Sequence, residues 1–359
     1  MDKTTRGGYG SWLWLAFSVC AGLYIVFNPN RQLAGSFAIV FSSIALEAMP
    51  FMLLGSIAGG LIESFLDRKR MIALLPGKEA LAVWIAAGMG MIFPVCECAI
   101  VPIIRRLTGK GLPAAAAIAY LLGGPIVNPV VFASTCLAYR MSWRVALMRL
   151  LWGYVIATGV AMLMGRLFGR DEMLVSGASD DGRRCGHGRH RPGRGGHDHA
   201  PEGCACGRDH GHGEEAEREQ AVAGKLAAAF GHALDDFMVS APFLVAGAFI
   251  AALAQTHFDR ADFAAMAANT IAASPVMMIL AILLNLCSEA DAFIAASFSG
   301  FVPFAAQMAF MLIGPMFDLK LLLMYRGVFR KKAICALIML ITVSVLAVSL
   351  LIGFLGSVR

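Results

Sequence analysis

The residues best suited to chemistry in this chain are Cys96, Glu97 and Cys98, in the run Phe93-Pro94-Val95-Cys96-Glu97-Cys98-Ala99-Ile100-Val101-Pro102. Two thiols and a carboxylate stand inside a hydrophobic block, between two prolines. Residues two apart on a regular helix point about 200° apart, so both thiols can meet one ion only where the backbone is unwound. The prolines supply a reason for unwinding, because each removes a backbone donor and breaks the ladder. Paired thiolates are soft ligands for Cu(I), Zn(II) and thiophilic metalloids. Glu97 would add an oxygen ligand or accept the displaced protons. The plainer alternative is two small core cysteines beside a helix-end acid, but an acid in an apolar block is costly and commonly functional.

A related run lies in the second half, Asn285-Leu286-Cys287-Ser288-Glu289-Ala290-Asp291. Its thiol and two carboxylates fit a proton or cation pathway, or a lid on a central site; otherwise it is an aqueous turn between helices. Two further breaks follow at matching positions, Gly123-Gly124-Pro125-Ile126-Val127-Asn128-Pro129 and Gly314-Pro315-Met316-Phe317-Asp318-Leu319-Lys320. Discontinuous helices in corresponding positions point to a transporter's binding site, since their freed amides and carbonyls can face a substrate. Kinks that serve packing alone are the competing reading. Asn128 aligns with Asp318, so both are candidate liners. Lys320 is expected to pair with Asp318, Glu289 or Glu47, the last lying three residues before Pro50. The expected pathway thus comprises Glu47, Gly124, Pro125, Asn128, Pro129, Asn285, Cys287, Glu289, Asp291, Pro315, Asp318 and Lys320.

A third cluster lies in a polar, Gly-rich stretch: Cys185, His187, His190, His197, His199, Cys204, Cys206, His210 and His212. It reads as a flexible metal-binding tract rather than a folded finger, because the fixed spacing of a structural zinc site is missing. Cys204-Ala205-Cys206 repeats the spacing of Cys96 and Cys98. The lone Cys20, Cys136 and Cys335 read as small buried thiols, and the 20 methionines as core filler.

The elements that must position these groups are membrane helices. Hydrophobic residues make up 58% of 359 residues and charged ones 15%, and the mean hydropathy is +0.70. Several uncharged segments, among them Leu112 to Ala138 and Phe263 to Ser288, reach the roughly 20 residues that cross a hydrocarbon core. A water-soluble enzyme is excluded. So is an ATP-driven pump, because the only long polar stretch is too short and Gly-rich for a nucleotide domain and no phosphate loop precedes a Ser or Thr. The net charge of +6 marks cytoplasmic loops rather than nucleic acid.

Hydrophobic blocks fall near 12-27, 33-65, 80-104, 112-138, 145-168, 226-256, 265-298, 301-325 and 333-356. The expected fold is an all-α polytopic membrane protein of about eight to ten membrane segments. Residues 1-32 hold an uncleaved first helix, 33-168 a first membrane repeat, 169-224 the Cys/His-rich cytoplasmic linker and 225-359 a second repeat. The internal echo is Pro50-Phe51-x-x-x-Gly55 against Pro242-Phe243-x-x-x-Gly247, then Gly124-Pro125 against Gly314-Pro315. If the third block of each side enters and returns as a re-entrant hairpin, the repeat is inverted. The linker's basic residues, such as Arg183, Arg184 and Arg189, are cytoplasmic only in that arrangement.

Across PVCECAIVP, LPAAAAIAYLLGGPIVNPVVF and GPMFD, the chain resembles the bacterial predicted-permease family that includes ArsP-type organoarsenical efflux permeases. A branch described as Cu/Zn efflux transporters, which also carries a Cys/His-rich loop, looks closer. By that likeness Cys96, Cys98, Gly124, Pro125, Asn128 and Pro129 belong to the transport core. The resemblance implies a secondary efflux permease of the bacterial cytoplasmic membrane exporting Cu(I) or Zn(II), with trivalent arsenicals as the alternative cargo. No tightly bound cofactor is expected; Cu, Zn or As(III) would be present only as cargo or on the linker. Expected partners are that ion, the lipid bilayer and, if it self-associates, further copies in a homo-oligomer. A membrane thiol-disulfide oxidoreductase cycling Cys96 and Cys98 is the rival of another class.

Overall fold

In the computed structural model the described residues are 31–65, 79–174, 214–257 and 272–357, together with Val19 and Gly22, which are helical. The remainder of the first block and the nine linker ligands, Cys185 to His212, lie outside the described residues.

Among the described residues the chain forms helices and no named strand. They are α1 (Arg31–Phe65), α2 (Glu79–Gly88), α3 (Glu97–Gly109), α4 (Ala114–Gly123), α5 (Pro129–Ala138), α6 (Trp143–Leu167) and the single turn α7 (Arg170–Met173). The second half holds α8 (Glu214–His257), α9 (Ala273–Leu284), α10 (Ser288–Ser297), α11 (Phe304–Met316), α12 (Leu319–Tyr325) and α13 (Lys331–Ser357). Among the described residues five stretches are long and apolar enough to cross a bilayer: Gln32–Ala58, Trp143–Leu167, Ala229–Leu253, Phe304–Tyr325 and Lys331–Leu355. The protein is therefore a multi-pass integral membrane protein built from helices. Its helix α8 begins a dozen residues before the apolar block near 226, because Glu214 to Gln220 is rich in Glu, Ala, Arg and Gln, which have high helix propensity.

Shorter helices lie where the sequence carries its breaks. After α2 a single 3-10 turn, Met89–Met91, ends the rise, and α3 starts afresh with Cys96 as an extended N-cap (φ −78°, ψ 166°). In the second half α9 ends at Asn285 in the left-handed region (φ 51°), which Asn tolerates better than most residues, and α10 starts with Cys287 as its N-cap (φ −76°, ψ 158°). Each half then has a helix entered from a proline N-cap, Pro113 for α4 and Pro303 for α11. Each of those ends at a break closed by a side-chain cap: Asn128 accepts from Val130 N–H to start α5, and Asp318 from Leu321 N–H to start α12.

Glycines set the closest approaches. A Cβ on Gly55 of α1 would lie 2.5 Å from the Ala99 carbonyl oxygen of α3, and one on Gly247 of α8 would collide with the Lys320 backbone of α12. The two glycines that stand five residues after Pro50 and Pro242 thus seat the two half-helices that carry charge. Helices α1 and α8 run antiparallel: Phe37 meets Phe249 edge-on at 5.3 Å, while Gly60 abuts Ala229. Helices α6 and α13 also run in opposite directions. Toward one end of the bundle, Gly165 abuts Ala115, and Arg330 donates to the Met173 and Leu174 carbonyls. Toward the other, Ser274 and Ser349 hydroxyls lie 2.7 Å apart and Ser349 donates to the Ala305 carbonyl.

Candidate functional site

The unwound starts of α3 and α10 and the caps of α5 and α12 converge inside the bundle, where backbone groups freed by the breaks are shielded by protein. Their side chains make two charged clusters. In the first, Lys320 Nζ donates to Glu97 Oε1 at 3.1 Å and lies 3.4 Å from Asp318 Oδ2. All three are buried, at 3%, 1% and 0% exposure, so the charges compensate one another rather than meeting water. Asp318 also accepts from Leu321 N–H at 2.6 Å. With its amide nitrogen turned toward the carboxylate, Asn285 donates to both Asp318 oxygens at 2.8 and 3.1 Å. The expected Lys320–Asp318 pair is present, but the second partner is Glu97 rather than Glu289 or Glu47. The reason is that α3 and α12 face each other across the two halves.

Cys98 is buried and its thiol lies beside that of Cys96, which is half-buried. The extended backbone at Cys96 brings the two thiols together where a continuous helix would hold them apart. Glu97 points elsewhere, to Lys320, and its Oε2 has no hydrogen-bond partner. Among the described residues no group of three or more His, Cys, Asp or Glu side chains is arranged to hold a metal ion. The expected trio is therefore a thiol pair with an ion-paired acid beside it.

In the second cluster Arg149, 1% exposed in the second turn of α6, donates through Nη1 to Thr135 Oγ1 at 2.9 Å and through Nη2 to the Ser288 carbonyl at 2.8 Å. Its Nη2 lies 4.0 Å from Asp291 Oδ2. Both Asp291 oxygens and the Ser288 hydroxyl lack partners. Gly314 makes room for this acid, because a Cβ there would collide with Asp291 Oδ2. Arg149 went unnoticed in the sequence. The available signal was a guanidinium in the second turn of a 25-residue apolar helix, which needs a partner when it is buried.

The other pathway candidates divide. Cys287 caps α10 and lies beside Glu47, which is exposed on α1. Glu289 is half-buried. Gly124 and Pro125 are buried; a Cβ on Gly124 would clash with Ile100, and one on Gly90 would clash with the Gly124 backbone. Pro129 occupies the first position of α5, where its missing N–H costs nothing, and Pro315 is buried in the last turn of α11. These prolines and glycines shape the site, whereas Asn128, Asn285 and Asp318 present polar atoms in it.

Comparison with known proteins agrees with a membrane bundle of this kind. The family described as "Predicted permease" (ArsP_1) matches residues 33–354. The "UPF0718 protein YcgR" of Bacillus subtilis is 36% identical over 313 residues, which is 87% of this chain and 95% of that protein. A Streptococcus mutans protein named "Putative two-component membrane permease complex subunit" is 32% identical over 314 residues, 88% of this chain and 94% of the relative. No solved structure matches. With charged clusters buried between broken membrane helices and a family match that runs from α1 into α13, the chain belongs to the ArsP_1 family of predicted permeases.

Proposed function

We propose that this permease is a secondary efflux transporter of the bacterial cytoplasmic membrane that exports a soft metal ion, with Cys96 and Cys98 as its intramembrane ligands. The observation that carries the reading is the thiol pair at the unwound start of α3, beside the buried Lys320–Glu97 contact between the two halves. Two thiolates fit Cu(I), which is content with two soft ligands. They also fit a trivalent organoarsenical, whose arsenic keeps its carbon and exchanges two oxygens for sulfur. Zn(II) would need further ligands to complete a tetrahedron. Loading with Cu(I) releases the two thiol protons, one to the unpartnered Glu97 Oε2 and the other to water, whereas with the arsenical both leave in water formed from its two oxygens. Lys320 offsets the extra negative charge of a Cu(I) bis-thiolate.

The arrangement of helices supports an inverted repeat. Equivalent long helices, α1 with α8 and α6 with α13, run in opposite directions, and α2 packs beside α4 with Ala87 against Gly123. In that reading α2 and α3 re-enter from the end bearing Arg105, Arg106, Arg330, Lys331 and Lys332, which is the cytoplasmic end, while α9 and α10 re-enter from the other. The linker, with Cys185 to His212, then hangs in the cytoplasm, where it would gather the same ion. A second subunit, as in the name of the Streptococcus mutans relative, or a homo-oligomer would surround this core rather than complete it.

The test is resistance in cells lacking the gene. Restoring the wild-type chain is expected to raise tolerance to copper, zinc or a trivalent methylarsenical, whereas the Cys96→Ser and Cys98→Ser variants, at equal membrane levels, should not. Equal protection by both serine variants would remove the thiol site from the account.

A further inference from the structure

Among the described residues five carboxylates face the core or its rim, and their hydrogen bonding differs. Asp318 is saturated by Leu321 N–H, Asn285 and Lys320. Glu97 holds Lys320 through one oxygen. Glu47 is exposed and Glu289 half-buried. Asp291 is 1% exposed, and neither of its oxygens receives a hydrogen bond. The nearest cation, Arg149, stands 4.0 Å away, anchored through Nη1 to Thr135 and through Nη2 to the Ser288 carbonyl, while its Nε has no partner. An ionised Asp291 keeps that cation's field but has no donor; a protonated Asp291 needs no donor but leaves Arg149 without a countercharge. Such a balance suits a group that cycles between both forms.

We propose that Asp291, held by Arg149 and the start of α10, is the proton-binding site that couples this transporter to the proton gradient. The proposal rests on the secondary-transport reading above and says which ion drives it. The step is Asp291 carboxylate plus one proton giving the neutral acid: the proton enters from the outer face and leaves to the cytoplasm as the metal goes out. The charged groups facing it are Arg149 on α6, Glu97 on α3, and Asp318 and Lys320 around the α12 cap, while Arg149 in turn faces Tyr139 in the α5–α6 turn and Glu289 and Cys287 at the start of α10. Helix α11 presents Gly314, whose missing side chain seats the carboxylate. Gly314 lies four residues from Asp318 through the Pro315 break, so a displaced Asp291 bears on the segment that holds Lys320 to Glu97. Two charged clusters thus share one hinge, one holding cargo and the other the driving ion.

Two measurements test this on the full-length protein in liposomes. Infrared difference spectra between alkaline and acid pH should contain the carbonyl band of a protonated carboxylic acid. In the wild type that band should move when aspartate is labelled with carbon-13, and it should be absent in Asp291→Asn but present in Glu289→Gln. A band that ignores the aspartate label, or that survives in Asp291→Asn, overturns the proposal. Should Asp291→Asn fail to fold, Asp291→Glu keeps the arm decisive: its band should no longer move with the aspartate label, and a band that still moves overturns the proposal. In parallel, Asp291→Asn should lose uptake of Cu(I) driven by a pH gradient down to the level of empty liposomes, while keeping Cu(I)-for-Cu(I) exchange. Retention of gradient-driven uptake refutes the proposal. Absence of any Cu(I) movement in the wild type would count against the cargo reading alone, and the infrared band would still decide the proton site.

Discussion

Removing Lys320 is the sharpest perturbation the first cluster offers. At an effective dielectric of about 20, an ion pair at 3.1 or 3.4 Å is worth about 5 kcal/mol of Coulomb attraction, so Lys320 offsets much of the burial cost of two carboxylates. Lys320→Met keeps the length and apolar stem but leaves Glu97 and Asp318 buried, near each other and uncompensated. Breaking a buried pair in this way costs about 3–5 kcal/mol. In detergent the melting temperature, followed by tryptophan fluorescence, should fall by about 5–15 °C. Glu97→Gln should be milder, because Lys320 keeps Asp318 at 3.4 Å and Asp318 keeps Asn285 and Leu321 N–H. Adding Glu97→Gln to Lys320→Met should restore part of the loss, since one orphaned charge is removed. A Lys320→Met protein that melts within about 1 °C of wild type, or a double variant whose losses simply add, would refute the coupling of these charges.

Other consequences can be checked with the same melting assay. Gly55→Ala and Gly247→Ala force α3 and α12 off their neighbouring helices and should each cost about 1–3 kcal/mol, whereas Gly159→Ala, with open space around it, should be neutral or gain about 0.5–1 kcal/mol. Asn128→Ala removes the side-chain cap of α5 and should cost about 0.5–2 kcal/mol. Arg149→Leu orphans Asp291 and should cost about 3–5 kcal/mol. Arg149→Lys should recover only part of that, because a single ammonium cannot reach Thr135, the Ser288 carbonyl and Asp291 in the fork geometry of a guanidinium.

Much of this arrangement was legible in the sequence, for identifiable reasons. Proline and glycine act locally, so the breaks at Pro94, Gly124-Pro125 and Gly314-Pro315 could be placed from the residues themselves. The matched offsets of Pro50–Gly55 and Pro242–Gly247 likewise correspond to two glycine contacts. Partner choice was not legible. Lys320 has Asp318 two residues away, but Glu97 reaches it only because two half-helices from opposite halves abut, and no local pattern encodes that pairing. Arg149 was hidden for the opposite reason: helix α6 carries no acid to pair with it, and its partners lie in α5 and α10. The thiol pair was legible as a motif, while its separation from Glu97 followed from a charge contact at a sequence distance of 223 residues.

The most direct test of the account is Cu(I) uptake into everted membrane vesicles, where the cytoplasmic face is outermost, energised to an acid interior. Vesicles carrying the wild-type chain should accumulate copper, and collapsing the pH gradient should stop it. The Cys96→Ser/Cys98→Ser double variant, inserted at the same level, should accumulate no more than vesicles without the protein. Accumulation by the double variant at the wild-type rate would contradict the claim that the ion passes through the thiols at the start of α3.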